Sequence, residues 1–283
     1  MAEVYKAGWT MEDVPWSRLD ASKIEPWLVV AIKAASLVEA NAPDYVVYLK
    51  RVFKNSGPET HAAIEQWGRE ESRHGEALAR WAELADPSFS FAETFARFRK
   101  GYKPEHFFGD GEGSVRGTRR GEMIARCVVE SGTSTFYTAI KEATDEPVLK
   151  EIAGRIAADE FRHYKLFYET QQAQDEPALP FWRRLKVAIG RVTESDDDEL
   201  AYAYYCARVP ADKERYVPYR RREMSSATFA TLTHIYRRHH LQRLAQMVAK
   251  AVDLDPQGRI AKFAGALLWR MFRMRAGLSG AAA

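Results

Sequence analysis

Cysteine is nearly absent from this chain: Cys127 and Cys206 are the only two, far apart and outside any Cys-x-x-Cys. Two such residues build neither a disulfide framework nor a four-cysteine zinc or rubredoxin-type iron module. Long apolar runs are missing too, and no stretch approaches the ~20 residues that span a bilayer. The opening MAEVYKAGWT lacks the basic-then-apolar layout of a secretory leader. With 17 Gly and 12 Pro in 283 residues, fibrous and low-complexity classes are excluded. These absences predict a globular cytoplasmic protein, long enough to bury a substantial core.

Excess charge of one sign is also slight overall, but it is unevenly placed. Residues 211–283 carry 14 Lys/Arg against 5 Asp/Glu, a balance of +9, whereas the remainder sums to −6. A basic tail can face an acidic protein, an anionic membrane or nucleic acid; it can equally consist of solvated helix faces. Nucleic acid is not among the partners expected here.

What is present is helical periodicity. Leu28, Ile32, Ala35, Glu39, Ala42, Val46 and Leu49 step by four and three, as do Ile64, Trp67, Glu71, His74, Leu78 and Trp81. Met123, Cys127, Glu130, Ser134 and Tyr137 form a third such series, and Leu149, Ile152, Ile156, Glu160, His163 and Phe167 a fourth. Each is the inward stripe of an amphipathic helix. Asn55-Ser-Gly-Pro58 and Asp145-Glu-Pro147 mark short links, so helices one and two, and three and four, form antiparallel hairpins. The long stretch 83–118, with aromatic-rich 91–98 and glycine-rich 108–114, crosses from one hairpin to the other. Pro43, four residues after Glu39, predicts a kink beside it.

The expected architecture is therefore all-α. It has an N-terminal arm (1–22, with Trp9, Pro15 and Trp16), a ferritin-like four-helix bundle (23–175) of two hairpins with a long crossover, and C-terminal helices packed on it (176–283). Those last helices are expected over 180–210, 223–253 and 256–275, separated by Pro210, Pro218 and Asp255-Pro256.

Two copies of Glu-x-x-His, Glu71…His74 and Glu160…His163, put a carboxylate and an imidazole on one helix face. Each has a partner acid upstream: Glu39 lies 32 residues before Glu71, and Glu130 lies 30 before Glu160. All four acids occupy seam positions where Leu or Ile would be expected. An unpaired buried carboxylate costs several kcal/mol, so four in one core need compensation. Two divalent cations balance four carboxylates with both histidines neutral. Six oxygen-rich ligands, Glu39, Glu71, His74, Glu130, Glu160 and His163, suit two iron ions, with manganese the alternative.

Neighbouring residues carry two readings each. Glu70 and Asp159 precede the motif glutamates and can lean on the opposite hairpin's histidine, fixing its tautomer. Arg73 and Arg162 either neutralise those acids or stand in solvent. Thr133, one turn beyond Glu130, either hydrogen-bonds near an oxygen ligand or packs. Cys127 reads as core filler rather than a redox group, and Tyr45, Tyr137, Tyr164 and Trp16 as packing aromatics or electron carriers. His61, His106, His234, His239 and His240 have no partner spacing.

At Glu70-Glu71-Ser72-Arg73-His74-Gly75 and Ala158-Asp159-Glu160-Phe161-Arg162-His163 the chain resembles the soluble acyl-acyl carrier protein desaturases, whose motifs have the form EExRHG and ADExRH. Glu39-Ala-Asn-Ala-Pro-Asp-Tyr45 is similar to that family's first ligand segment, and Glu130-Ser-Gly-Thr133 to its third-helix segment. The likeness covers about 25–175; the chain is shorter than the plant enzymes, differs over 83–118, and shows no match beyond 175. It implies the six residues above as iron ligands, Thr133 as a neighbour in oxygen activation, and Asp159 beside His74 on an electron route. The family also places a Trp before the first helix on that route, for which Trp16 is the candidate.

The function implied is an O2-dependent di-iron oxidoreductase that desaturates an acyl chain held on acyl carrier protein. The alternative is an oxygenase, a hydroxylase or N-oxygenase, acting on a small metabolite or lipid. An iron-handling protein without organic substrate is a third class. With no internal rubredoxin module, electrons are expected from a separate ferredoxin-type donor. A homodimer and a peripheral membrane contact through the basic amphipathic stretch 256–275 are further expectations.

Overall fold

The computed structural model describes residues 8–102, 113–194 and 198–280; His106 and most of the 108–114 run lie outside them. Among the described residues the protein is all-helical, without a strand. Three short 3-10 turns, Met11–Asp13, Trp16–Arg18 and Ala21–Lys23, lead into α1 (Pro26–Glu39), α2 (Ala42–Val52), α3 (Pro58–Ala85) and α4 (Phe91–Gly101). Then follow α5 (Arg119–Ala143), α6 (Pro147–Ala173), α7 (Phe181–Thr193), α8 (Asp198–Arg208), α9 (Arg221–Ile235), α10 (Arg238–Ala251) and α11 (Arg259–Gly280).

Local chemistry sets the ends of these helices. α1, α3 and α6 each open on a proline, whose missing N–H is one of the unsatisfied donors of a first turn anyway. The Glu146 carboxylate caps α6 by accepting from the Val148 and Leu149 amides at 3.2 and 2.7 Å. It also accepts from the Trp81 indole at 2.7 Å and the Asp20 amide at 3.2 Å, pinning the N-terminal turns and α3 to the start of α6. Thr118 caps α5 by accepting from the Gly121 amide at 2.9 Å.

The first helix of the sequence reading is two helices. In a continuous helix the Pro43 ring would strike the carbonyl four residues back, which is that of Glu39. α1 therefore stops at Glu39, and α2 restarts with Pro43 in its first turn: a break where a kink was expected. The Asn41 amide at the break donates to Glu199 of α8 at 3.0 Å, holding the corner from outside. Two other expected helices also divide. Residues 180–210 form α7 and α8, and 223–253 form α9 and α10, separated at Tyr236–Arg237. Within the 83–118 stretch, 91–101 is helical: Phe91, Phe95, Phe98 and Tyr102 share one face, stack in series, and meet Tyr202 through Phe98.

α5 lies along α6, α1 along α3, and α3 meets α6. Their shared interior has two apolar clusters. One joins Trp9, Leu28, Ile32, Leu78, Trp81, Ile140, Leu149 and Ile152; the other joins Leu49, Phe53, Trp67, Met123, Cys127 and Phe167. Each such side chain contributes roughly 1.5–3 kcal/mol by leaving water. Along α3, α5 and α6 the seam Glu and His positions fall between the two clusters, and Glu39 at the end of α1 lies between the first cluster on α1 and the second on α2. α10 covers α5, α11 covers α10, and α8 covers the outer face of α1.

Candidate metal centre

The six residues marked by spacing meet in that intermediate layer. Glu39 comes from the last turn of α1, Glu71 and His74 from α3, Glu130 from α5, and Glu160 and His163 from α6. All are buried, with His74 and Glu160 wholly shut from solvent. They form two overlapping sets: Glu39, Glu71, His74 and Glu160; and Glu71, Glu130, Glu160 and His163. Within each set one donor atom per residue lies within 4.8 Å of all the others, and Glu71 and Glu160 belong to both.

Hydrogen bonds from outside orient the imidazoles. His74 Nε2 lies 3.0 Å from Asp159 Oδ2, and His163 Nε2 lies 2.8 Å from Glu70 Oε2. Each acid precedes a motif glutamate on the facing helix and leans on the other motif's histidine. A carboxylate accepts from an N–H, so both rings carry their proton on Nε2 and turn the Nδ1 lone pair inward. There His74 Nδ1 faces Glu160 Oε1 at 3.2 Å, and His163 Nδ1 faces Glu71 Oε1 at 2.9 Å. With Glu130 Oε1, these are five buried polar atoms of the ligand set that lack a hydrogen-bond partner, all in the cluster. Two facing lone pairs repel, so a proton or a cation has to stand between them.

The electrostatics agree. Burial raises the Glu39 carboxyl well above the ordinary range, and the negative charges of Glu71 and Glu160 push the same way. Glu130 is raised likewise by burial, Glu160 and Glu71. Burial would lower His163, but the acids Glu160, Glu70 and Glu71 around it outweigh burial and raise the imidazole, so that with no cation in place a proton is drawn to the inward Nδ1. For Glu160 burial pushes up, yet a proton placed between it and His163, His74 or Glu130 would hold it well below the usual range. The cluster draws positive charge inward. Four carboxylates and two Nδ1 lone pairs, with Glu71 and Glu160 common to both sets, are a donor set that could hold divalent cations.

Around this layer the structure chooses between the paired readings. The Thr133 hydroxyl donates to Glu160 Oε2 at 2.6 Å. Arg73 and Arg162 both approach Asp159, Arg73 Nη2 at 3.4 Å from Oδ2 and Arg162 beside Oδ1, so neither is simply a solvated charge. Glu70, held by His163 and by Gln66 at 2.7 Å, stays ionised: burial opposes this, but those hydrogen bonds bring it down to about 2. Cys127 is buried and its thiol is pushed up by that burial, as suits core filling. Of the tyrosines, Tyr45 bonds Glu199, Tyr164 bonds the Met247 carbonyl at 2.8 Å, and only Tyr137 reaches the cluster, donating to Glu39 Oε1.

The tryptophan beside Asp159 is Trp9, not Trp16. The Trp9 indole N–H donates to Asp159 Oδ2 at 2.7 Å, and its ring lies parallel to His74 with centroids 6.1 Å apart. Trp16 instead bonds the Met11 carbonyl at 2.8 Å and lies under Arg80. Trp9 carries no periodic signal, because it sits in an irregular segment joined to α6 across 150 residues. Tyr137 was visible as a seam residue seven after Glu130, but the glutamate it would meet was not. His234 stacks on Trp27, while His239 and His240 share Glu142 at 2.9 and 3.0 Å, away from the cluster. Compared with known proteins, the chain matches no family model and no curated sequence.

Proposed function

We propose that this protein is a di-iron, O2-dependent oxidoreductase of the desaturase-like branch of ferritin-like proteins. In this reading Glu39, Glu71, His74, Glu130, Glu160 and His163 would hold the two ions, with Glu71 and Glu160 common to both ligand groups. The observation that carries it is the inward set of unpartnered donor atoms, Glu71 Oε1, His74 Nδ1, Glu130 Oε1, Glu160 Oε1 and His163 Nδ1, in two overlapping groups. When bound, such a pair of irons would supply O2 reduction: O2, two external electrons and two protons, together with two hydrogens from adjacent carbons of the substrate, would end as a C=C bond and two waters.

The surrounding residues have defined tasks. Asp159 and Glu70 hold the Nε2 protons of the two histidines and so keep both Nδ1 atoms available. Tyr137 fixes one oxygen of Glu39, and Thr133 fixes one of Glu160 while placing an exchangeable proton at the layer. The apolar clusters on either side keep bulk water out. Trp9, Asp159 and His74 form a continuous hydrogen-bonded and stacked path for electrons from a separate ferredoxin-type donor. An acyl chain presented by acyl carrier protein is the substrate that the motif resemblance favours.

Metal analysis of the purified protein tests the centre. About two iron per chain, with the spectrum of a coupled di-ferric pair, is expected; stoichiometric zinc or no metal would sink the reading. Single-turnover reaction of the reduced protein with acyl-carrier substrates, read by mass spectrometry, tests the chemistry. Loss of two hydrogens is expected, and a product that gains oxygen would transfer the protein to the oxygenases.

A further inference from the structure

α11 carries five large apolar residues in solvent: Ile260, Phe263, Leu267, Met271 and Met274 are 61, 71, 44, 57 and 60 % exposed. Their spacing of three, four, four and three places them within about 80° of arc along roughly 20 Å of helix. They are not the packed side of the helix. That side is Ala261, Leu268, Trp269 and Phe272, which face α10 and the main core. Exposed apolar residues scattered singly need no explanation, whereas a continuous stripe does.

Charge selects the occupant. From 259 to 275 the helix holds Arg259, Lys262, Arg270, Arg273 and Arg275 and no acid. Arg259, Lys262, Arg270 and Arg273 are exposed along one flank of the stripe, and among the described residues none of these four is in an ion pair. A second copy of α11 would set this cationic flank against itself. An acidic protein would satisfy the cations, but it would not require a 15-residue line of Ile, Phe, Leu and Met beside them. A lipid surface takes both: the apolar stripe enters at the acyl boundary, and long cationic side chains reach back to anionic headgroups. No helix of the described residues is long and apolar enough to cross a membrane, so the helix would lie on the surface.

We infer that the outer face of α11 is a docking surface for an anionic membrane, bound through Ile260, Phe263, Leu267, Met271 and Met274 with Arg259, Lys262, Arg270 and Arg273 at their flank. This is independent of the metal reading, since no residue of the cluster takes part.

Flotation of the full-length protein with phosphatidylcholine vesicles, alone or mixed with phosphatidylglycerol, is the test. Binding to the anionic vesicles at least about tenfold above the neutral ones is expected, with high salt cancelling the difference. Phe263→Ser/Met271→Ser, with unchanged melting, should lower anionic binding about tenfold or more, and Arg270→Glu/Arg273→Glu should remove the preference for anionic lipid. Four results would overturn the inference. They are absence of binding to either vesicle, undiminished binding by the serine variant, a concentration-dependent dimer that this variant abolishes, and capture of acyl carrier protein through the arginines with no vesicle binding.

Discussion

At the scale of single residues, close approach and hydrogen bonding make opposite demands on neighbouring glycines and aromatics. Gly75 follows His74 where α3 crosses the α1–α2 break; a Cβ there would stand 2.7 Å from the Ala40 amide nitrogen and 3.0 Å from its Cα. Backbone cannot rotate away as a flexible side chain can. Gly75→Ala is therefore expected to cost about 1–3 kcal/mol and to separate Glu39 from His74, so that both melting temperature and bound iron fall. Gly132, between Glu130 and Thr133, has nothing within 4 Å of the same position. Gly132→Ala should be neutral or stabilise by about 0.5–1 kcal/mol through helix propensity, with full metal content; equal effects at the two glycines would contradict this packing. Trp9 offers a second contrast. Trp9→Phe keeps the ring but removes the N–H that Asp159 accepts at 2.7 Å. A loss of about 1–3 kcal/mol is expected; on the proposed reading metal content is retained and reduction by a donor protein in stopped flow is slower. A purely structural Trp9 would leave the reduction rate unchanged.

At the scale of helices, what was legible in the sequence was whatever is local. Seam spacing put Glu39, Glu71, His74, Glu130, Glu160 and His163 on inward faces, and the one-residue offset of Glu70 and Asp159 aimed them at the opposite histidines, because 3.6-residue periodicity needs no knowledge of tertiary structure. Trp9 and the Tyr137–Glu39 bond depend on contacts across 150 and 98 residues, for which no periodicity exists. The break after Glu39 lay between these cases: Pro43 announced it, but whether a helix bends or parts depends on what grips the corner. Here Glu199 holds Asn41. The middle of α1 is tied by Lys33 Nζ, 2.5 Å from Asp86 Oδ2 at the C-cap of α3. Hydrogen bonds from Lys33 and Ser88 bring the Asp86 carboxyl down to about 2. Because the folded-state value lies below that of the unfolded chain, ionised Asp86 favours the fold. The increment is complete above about pH 4 and is lost as pH falls through about 2. With the Asp86 side chain 34 % exposed, solvent screening limits it to on the order of 1 kcal/mol. Chemical denaturation from pH 6 to pH 2 should show wild type losing this much more stability than Asp86→Asn; parallel curves would refute the tie.

At the scale of the whole molecule, the central layer opposes the fold that contains it. The four helices bury two apolar clusters and place between them four carboxylates, of which Glu39 and Glu130 are raised by burial and by one another's neighbours. A core of this size would be more stable with neutral residues at those positions, since replacing buried ions by uncharged groups of similar shape is commonly neutral or favourable. Such a conflict between local stability and sequence choice is the mark of a functional site. Cations bound only by the native state would reverse the balance by mass action, by about 2.7 kcal/mol when free metal is a hundredfold above its dissociation constant. In a chain of this length that corresponds to roughly 4–5 °C in melting temperature. Calorimetry should therefore find chelated protein melting below iron-loaded protein by this interval. Glu39→Gln/Glu130→Gln keeps acceptors for Tyr137 and for its neighbours while removing two buried charges. It is expected to melt above chelated wild type and to show no shift on adding ferrous iron. If the variant instead melts below chelated wild type, the acids are structural members of a proton-shared network, and the layer owes its burial to the fold rather than to a metal.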